Sequence, residues 1–335
     1  MTQAALGACV AAGCGPPEHR RKALVAGAVL GTLPDLDIFI DFGDAVRNFT
    51  YHRGFSHSLL VLPGVAFLIW LALRRWWAPV RGAPRHWLAA FVLALVTHPL
   101  LDAHTAYGTP LLWPFEPPPV RWATMFIIDP AYTLPLLIGL AAVAAWPARA
   151  VAKNVLVTGL ALSVVYLGWT WVGKTTAERE ARHALAAAGI EYRAIFSTPT
   201  PLNSLLWRVV VMTDDGYLEG FDSVVIDEGT MRFARHPSDL KALSDASDVW
   251  AVQRLRWFAD DFIRADVVEG QLVITDLRMG QDPYYVFRHV VAAHGNPHWT
   301  PIEPQRLVVS FDRLDLGATW RRIWNPQERA RSETR

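Results

Sequence analysis

Trp87-Leu88-Ala89-Ala90-Phe91-Val92-Leu93-Ala94-Leu95-Val96-Thr97-His98-Pro99-Leu100-Leu101-Asp102-Ala103-His104 is the stretch on which the reading of this chain turns. From Trp87 to Leu101 it is apolar, with a length near what a bilayer-crossing helix needs, roughly 20 residues. It then closes on His98, Asp102 and His104. Ionisable groups at membrane depth are costly unless paired or liganded, so their presence there marks a site. His98 and Asp102 are four residues apart and project from one helix face a turn apart, provided Pro99 only kinks the helix. They can share a metal or simply hydrogen-bond.

Further apolar runs lie on either side. Ala23 to Phe42 reads as a half-buried helix that ends at Leu33, because Pro34 and the acidic residues after it break it. Ser58 to Leu73, Ile127 to Trp146 and Val155 to Val172 complete the set. Arg20-Arg21-Lys22, Arg74-Arg75 with Arg81 and Arg85, and Arg149 with Lys153 mark cytoplasmic loops by the positive-inside rule. Threaded that way, the chain brings Asp35 and Asp37, His52 and His57, His98 to His104, and Asp129 to one extracytoplasmic face. The expected fold is an α-helical polytopic membrane bundle over residues 1–173, followed by a soluble α+β domain over 174–324 and a frayed tail over 325–335.

The composition agrees with such a mixture. Of 335 residues 52% are hydrophobic and 19% charged, and the mean hydropathy is +0.19. A formal net charge of +1 gives no global pull toward nucleic acid. Cys9 and Cys14 have neither zinc-finger nor disulfide-framework spacing. Met1 to Gly15 lacks a basic leader region, although Leu6-Gly7-Ala8-Cys9 loosely imitates a lipoprotein cleavage box. Beyond Val172, Thr175 to Ala188 reads as a helix stopped by Gly189. Trp207 to Met212, Asp214-Asp215-Gly216 and Tyr217 to Ile226 read as a hairpin. Asp248 to Ile263 reads as a helix, and Leu272 to Thr275 and Tyr284 to Val291 as strands. No phosphate-binding glycine loop and no internal repeat is visible.

Two further clusters carry chemistry. Asp35 and Asp37 follow Pro34 closely enough to repel unless a cation neutralises them, or else they form an Asx-type turn. His52 and His57 bracket Arg53-Gly54, with Ser56 placed to cap a helix beginning near His57. A helix start and Arg53 together suit an anion; Arg53 equally suits Asp35 or Asp37. His104, Thr105 and Tyr107-Gly108-Thr109 are supporting groups or turn residues, and Asp129 before Pro130 reads first as a helix cap. His183, His236, His289, His294 and His298 read as ordinary residues.

Leu33-Pro34-Asp35-Leu36-Asp37, His52-Arg53-Gly54-Phe55-Ser56-His57-Ser58, His98-Pro99-Leu100-Leu101-Asp102, Gly108-Thr109 and Trp113-Pro114-Phe115 together resemble the YdjM-type family of membrane-bound metal-dependent hydrolases. The resemblance runs from about Thr2 to Val172. Trp207-Arg208 and Asp276-Leu277-Arg278 look like a domain some members append. It implies an inner-membrane protein related to the zinc-dependent phospholipase C and single-strand nuclease superfamily, in which clustered metals activate water against a phosphodiester. Many members carry a Thr-His pair near the start where this chain has Thr2-Gln3, and Gln is a poor zinc ligand.

The expected function is therefore a metal-dependent hydrolase of a phosphoester or other ester, with a membrane lipid or a lipid-linked or small-molecule phosphoester as substrate. Asp35, Asp37, His52, His57, His98 and Asp102 are the candidate ligands for a divalent metal, zinc or manganese. A surplus carboxylate, Asp35 or else Asp37, is the candidate proton acceptor and Arg53 the group that steadies negative charge. Two rivals stand beside it. One is an ion or proton transporter built on the same buried groups, which would carry inverted repeats. The other is a metal-stapled anchor presenting a binding domain. The oligomeric state is not encoded in any feature of the sequence.

Overall fold

The computed structural model describes residues 1–226, 231–295, 298–308 and 316–325. The chain forms two compact units, and neither is one continuous piece of sequence. The first comprises Met1–Ile40, Arg53–Trp122 and Ile127–Trp169; the second comprises Asp41–His52, Ala123–Phe126 and the described residues from Thr170 onward. The tail expected over 325–335 lies, apart from Asn325, outside the described residues.

In chain order the helices through both units begin with α1 (Thr2–Cys14), α2 (Arg20–Thr32), α3 (Ala45–Tyr51) and α4 (Leu62–Trp76). They continue with α5 (Ala78–Gly82), α6 (Pro84–Asp102), α7 (Pro130–Ala145) and α8 (Ala150–Ala187). In the first unit α1 and α2 pack backbone to backbone, because glycines face each other at the crossing. A Cβ on Gly27 would stand 2.2 Å from the Gly7 carbonyl oxygen, and one on Gly31 would stand 2.5 Å from that of Gln3. Ala11, Ala23 and Leu30 continue that contact into a core completed by Leu62, Ala66 and Trp70 of α4 and by Trp87, Ala90, Phe91, Ala94 and Leu95 of α6. One face of α6, from Trp87 to Leu95, is thus taken up by protein contacts, while Leu93 on the other side is exposed.

That packing corrects the polytopic bundle expected from hydropathy. Among the described residues a single helix, α8, is long and apolar enough to cross a membrane. The reason is length and interruption. α4 has 15 residues and α7 has 16, about 24 Å at 1.5 Å per residue, against a hydrocarbon layer of about 30 Å. Pro34 stops the α2 run. α6 reaches 19 residues, but Arg85 and His86 at its start and His98 and Asp102 at its end shorten the apolar part. With one candidate span, the multi-pass threading has no support, and neither does the extracytoplasmic placement derived from it.

α8 also merges two expected elements. The span over Val155 to Val172 and the helix over Thr175 to Ala188 are one helix of 38 residues. Gly173 does not break it. A Cβ there would stand 2.9 Å from the Trp207 indole, so its glycine serves a close approach. Gly189, with φ at +64°, does end the helix as read.

In the second unit the strands β1 (Ala194–Pro199), β2 (Leu206–Met212), β3 (Gly216–Ser223) and β4 (Phe233–Pro237) form an antiparallel meander. The short helix α9 (Leu240–Asp245) and then α10 (Trp250–Ala259) follow, α10 covering less than the Asp248 to Ile263 expected. Next come β5 (Ile263–Val268), β6 (Gln271–Asp276), the small hairpin β7 (Gly280–Gln281) and β8 (Tyr284–Tyr285), β9 (Arg288–His294) and β10 (Trp299–Arg306). Their sheet has the order β10-β9-β6-β5. A last helix, α11 (Leu316–Trp324), returns to β3 through Ser223 Oγ, which donates to the Ile323 carbonyl at 2.9 Å.

The hairpin expected around Asp214-Asp215-Gly216 is the β2–β3 pair. Ala177, Ala181, Ala184 and Leu185 of α8 bury against Trp207, Val209 and Val211 of β2. Arg208, buried, pairs with Glu219 at 2.6 Å and donates to the Leu277 carbonyl at 2.7 Å. The two signature stretches Trp207-Arg208 and Asp276-Leu277-Arg278 therefore meet at one hydrogen bond. α3 belongs here as well: Phe49 stacks on Phe287 at 4.3 Å and meets Phe258 edge-on at 4.8 Å.

The α1–α2 crossing makes a stability prediction. Gly27→Val should lower the stability of the first unit by about 3 kcal/mol or more, because overpacking against backbone cannot relax. Gly64→Ala, a site in α4 with open space around it, should be neutral or slightly stabilising. Thermal unfolding of the full chain in detergent, with circular dichroism at 222 nm, measures both.

Candidate metal centre

Four side chains from three segments of the first unit converge. Asp35 sits on the 3-10 turn Pro34–Phe39 that follows α2, His57 on the 3-10 turn Phe55–His57, and His98 and Asp102 on the last turns of α6. One donor atom from each lies within 4.8 Å of all the others, so the four can hold a metal ion. Pro99 interrupts neither the helix nor the spacing: α6 continues to Asp102.

The donor set passes a geometric test. His57 Nε2 and His98 Nε2 are 3.1 Å apart. Asp102 Oδ2 lies 3.2 Å from His57 Nε2 and 3.5 Å from His98 Nε2, and Asp35 Oδ1 lies 3.7 Å and 3.3 Å from the same two atoms. A tetrahedral ion with bonds of about 2.0–2.1 Å has donor-to-donor edges of roughly 3.3 Å. Five edges of the set cluster around that value, and all four donors suit zinc-like chemistry.

The outward nitrogens explain why the lone pairs point inward. Pro34 ends α2 and has no N–H to offer its last carbonyls, so the Gly31 oxygen is left for His98 Nδ1 at 2.8 Å. With Nδ1 donating, Nε2 faces the cluster. His57 Nδ1 is 2.9 Å from Ser56 Oγ, and Ser56 Oγ in turn donates to Asp37 Oδ2. Such partners fix ring orientation and raise ligand basicity. Asp102 offers Oδ2 to the cluster, while Gln3 Nε2 donates to its Oδ1 at 2.7 Å and to the His98 carbonyl at 3.1 Å. Gln3 therefore supports a ligand without supplying one.

Arg53 completes the centre. Its backbone N–H donates to Asp37 Oδ2 at 2.8 Å, and its guanidinium reaches Asp102 Oδ2 at 3.2 Å and lies over Tyr107 at 4.9 Å. To do both, the residue adopts φ of +66°, a left-handed conformation that costs a non-glycine residue about 1–2 kcal/mol. Its Nε–H is buried and has no hydrogen-bond partner among the described residues.

The charges are mutually dependent. Burial works against ionisation of Asp102, but Arg53 and hydrogen bonds from both histidines hold its carboxyl well below the usual range. Burial also works against His98, yet Asp102 and Asp35 push it up to about 9. Asp35 is lowered against its own burial by the same two imidazoles. The two carboxylates that would bind a cation thus also favour the protonated form of His98. His57, His98 and Asp102 are buried, whereas the Asp35 side chain is 43% exposed, which makes it the ligand on the open side.

The other expected site residues are placed differently. Asp37 accepts from the Arg53 backbone and Ser56 and is not among the four grouped donors. His52 follows α3 in the second unit and is likewise outside the group. Ser56 caps no helix: α4 begins only at Leu62, so no helix start supplies an anion site beside His57. His104 Nδ1 turns to the Leu100 carbonyl at 2.9 Å, and Asp129 caps α7 and accepts from Tyr166 at 2.7 Å. Sequence reasoning could not find the Gly31 carbonyl, whose role depends on a distant contact. For Gln3 the only signal was its replacement of a histidine.

The family described as YdjM inner membrane protein matches residues 1–177. Inner membrane protein YbcI of Escherichia coli strain K12 is 38% identical over 119 residues, which cover 35% of this chain and 67% of that protein. The uncharacterized protein YfhP of Bacillus subtilis strain 168 is 24% identical over 295 residues, 82% of this chain and 83% of its own length. No solved structure matches the chain.

Because a proton and a metal compete for the same nitrogen, loading the purified chain with zinc near pH 7 should release at least one proton and weaken as the pH falls. Titration calorimetry in buffers of different ionisation enthalpy reads the proton count directly. Ser56→Ala should weaken binding about 10- to 100-fold, as loss of a ligand's outer partner does. His98→Ala should abolish stoichiometric binding.

Proposed function

The chain belongs to the YdjM inner membrane protein family, and we propose that it is a membrane-bound, metal-dependent hydrolase of a phosphoester or other ester. The observation that carries this reading is the near-tetrahedral convergence of Asp35, His57, His98 and Asp102, with a buried guanidinium against one ligand. Zinc suits the mixed imidazole and carboxylate set best.

A divalent ion bound there supplies Lewis acidity and lowers the pKa of a water molecule toward neutrality. The protein's part is positional. Asp35, on the open side, is the carboxylate that takes the attacking water's proton. Arg53 keeps one guanidinium edge on Asp102 and has Nε–H to offer to the oxygen on which negative charge develops. Tyr107 beneath its guanidinium and Thr105 Oγ1, 3.5 Å from Nη1, hold that orientation. Asp37 acts from outside, since it fixes both the Arg53 backbone and, through Ser56, the His57 ring.

One observation favours a second reading. Four protein donors already complete a tetrahedron, which is the usual form of a structural zinc site, whereas catalytic sites keep a position open. In that case the ion staples the 3-10 turns to α6. The exposure of Asp35 supports the hydrolase reading, because a half-exposed carboxylate can yield its place while the three buried ligands remain.

Arg53→Lys should keep metal content and lower turnover of a phosphodiester such as bis-p-nitrophenyl phosphate about 100-fold or more, the usual loss for one charge-stabilising donor. Asp35→Ala should retain metal and lose turnover. Metal content by mass spectrometry alongside hydrolysis rates decides between the readings. Loss of metal and of folded structure in Asp35→Ala would favour the staple.

A further inference from the structure

The metal centre opens among unusually apolar segments. The turn that carries Asp35 exposes Leu36, Ile38 at 70% and Phe39 at 83%. The turn that carries His57 exposes Phe55, and the neighbouring loop exposes Trp113 and Phe115, the latter at 68%. These segments are linked to one another. Phe55 meets Trp113 edge-on at 6.3 Å, Ser58 Oγ donates to the Trp113 carbonyl at 2.7 Å, and Leu59 N–H donates to the Leu111 carbonyl at 2.8 Å. Asp37 ties the two turns together through Ser56 and Arg53. Single exposed apolar side chains are ordinary, but several on linked segments beside a partly exposed ligand mark an interaction surface.

The charge pattern identifies the partner. Across residues 34–40, 55–60 and 110–115, the only ionisable side chains are Asp35, Asp37 and His57, all part of the centre. Charge stands only at the edges, where exposed Asp41 and Glu116 follow Ile40 and Phe115 in the chain, and within the three segments the exposed side chains are otherwise apolar. Hydrocarbon requires nothing else. The same unit contains the greater part of α8, the helix long and apolar enough to cross a membrane, and the family is one of inner membrane proteins.

We propose that this apolar collar lies in the acyl layer of the bilayer and that the ligand reaching the centre is a lipid, its polar ester against Arg53 and its chains along Phe39, Phe55 and Phe115. The ester-cleaving part rests on the hydrolase reading above, and the lipid contact does not.

The test uses the full chain in nanodiscs of phosphatidylethanolamine and phosphatidylglycerol, in a Cys9→Ala, Cys14→Ala background that still binds zinc. An environment-sensitive fluorophore is placed at Phe39→Cys, at Phe115→Cys and, as control, at Glu18→Cys before the start of α2. Bromination of the lipid acyl chains should quench the first two labels by more than half and leave the control near its original intensity. With unlabelled protein, kcat/KM for a long-chain phosphodiester lipid should exceed that for its short-chain soluble counterpart by at least 30-fold. Phe39→Ser combined with Phe115→Ser, with metal content checked, should bring that ratio to within about threefold. Labels quenched no more than the control, or a ratio unmoved by the double substitution, would overturn the proposal. Quenched labels with neither ester cleaved by metal-loaded protein would overturn the hydrolase reading and leave the lipid contact standing.

Discussion

Two imidazole nitrogens that face each other at 3.1 Å between two carboxylate oxygens are stable only around a positive charge. The first unit is organised to impose that arrangement. Glycines let α1 and α2 touch, and the touch sets Gln3 beside Asp102 and the Gly31 carbonyl beside His98. Pro34 ends α2 where its carbonyl is needed and starts the turn that delivers Asp35. Arg53 accepts an unfavourable backbone conformation to join Asp37 with Asp102. Each device is ordinary by itself, and together they convert a helical core into a binding centre.

The same constraints explain the difference between Asp35 and Asp37. Two carboxylates two residues apart on a 3-10 turn cannot point the same way, so one enters the donor cluster and the other turns to the supporting hydrogen bonds. A spacing that seems to double the ligands instead divides the labour. Only Asp37 is buried, and only Asp35 meets the outside.

Much of the centre was legible in the sequence because it rests on local spacing. His98 and Asp102 fall on one helix face, and the acidic turn after Pro34 and His57 beside Arg53 stand out against apolar surroundings. The outer partners were not legible, since Gln3 and Gly31 act across segments far apart in the chain. Hydropathy does not distinguish lipid exposure from core packing: Trp87, Phe91 and Leu95 are apolar because they face α1, α2 and α4. In the second unit the Asp214-Asp215-Gly216 turn announced its hairpin. The continuity of α8 stayed hidden because composition changes near Val172 while the backbone does not break.

α3 carries a consequence for how this chain can be divided. It is encoded between the acidic turn and Arg53, yet Phe49 fills a place among Phe258, Phe287 and His289. The β-rich unit consequently owns a piece of sequence inserted into the middle of the other. A fragment starting after α8 would lack an aromatic plug, and one ending there would display it to water. Truncation at a linear boundary is therefore not a neutral dissection of this molecule.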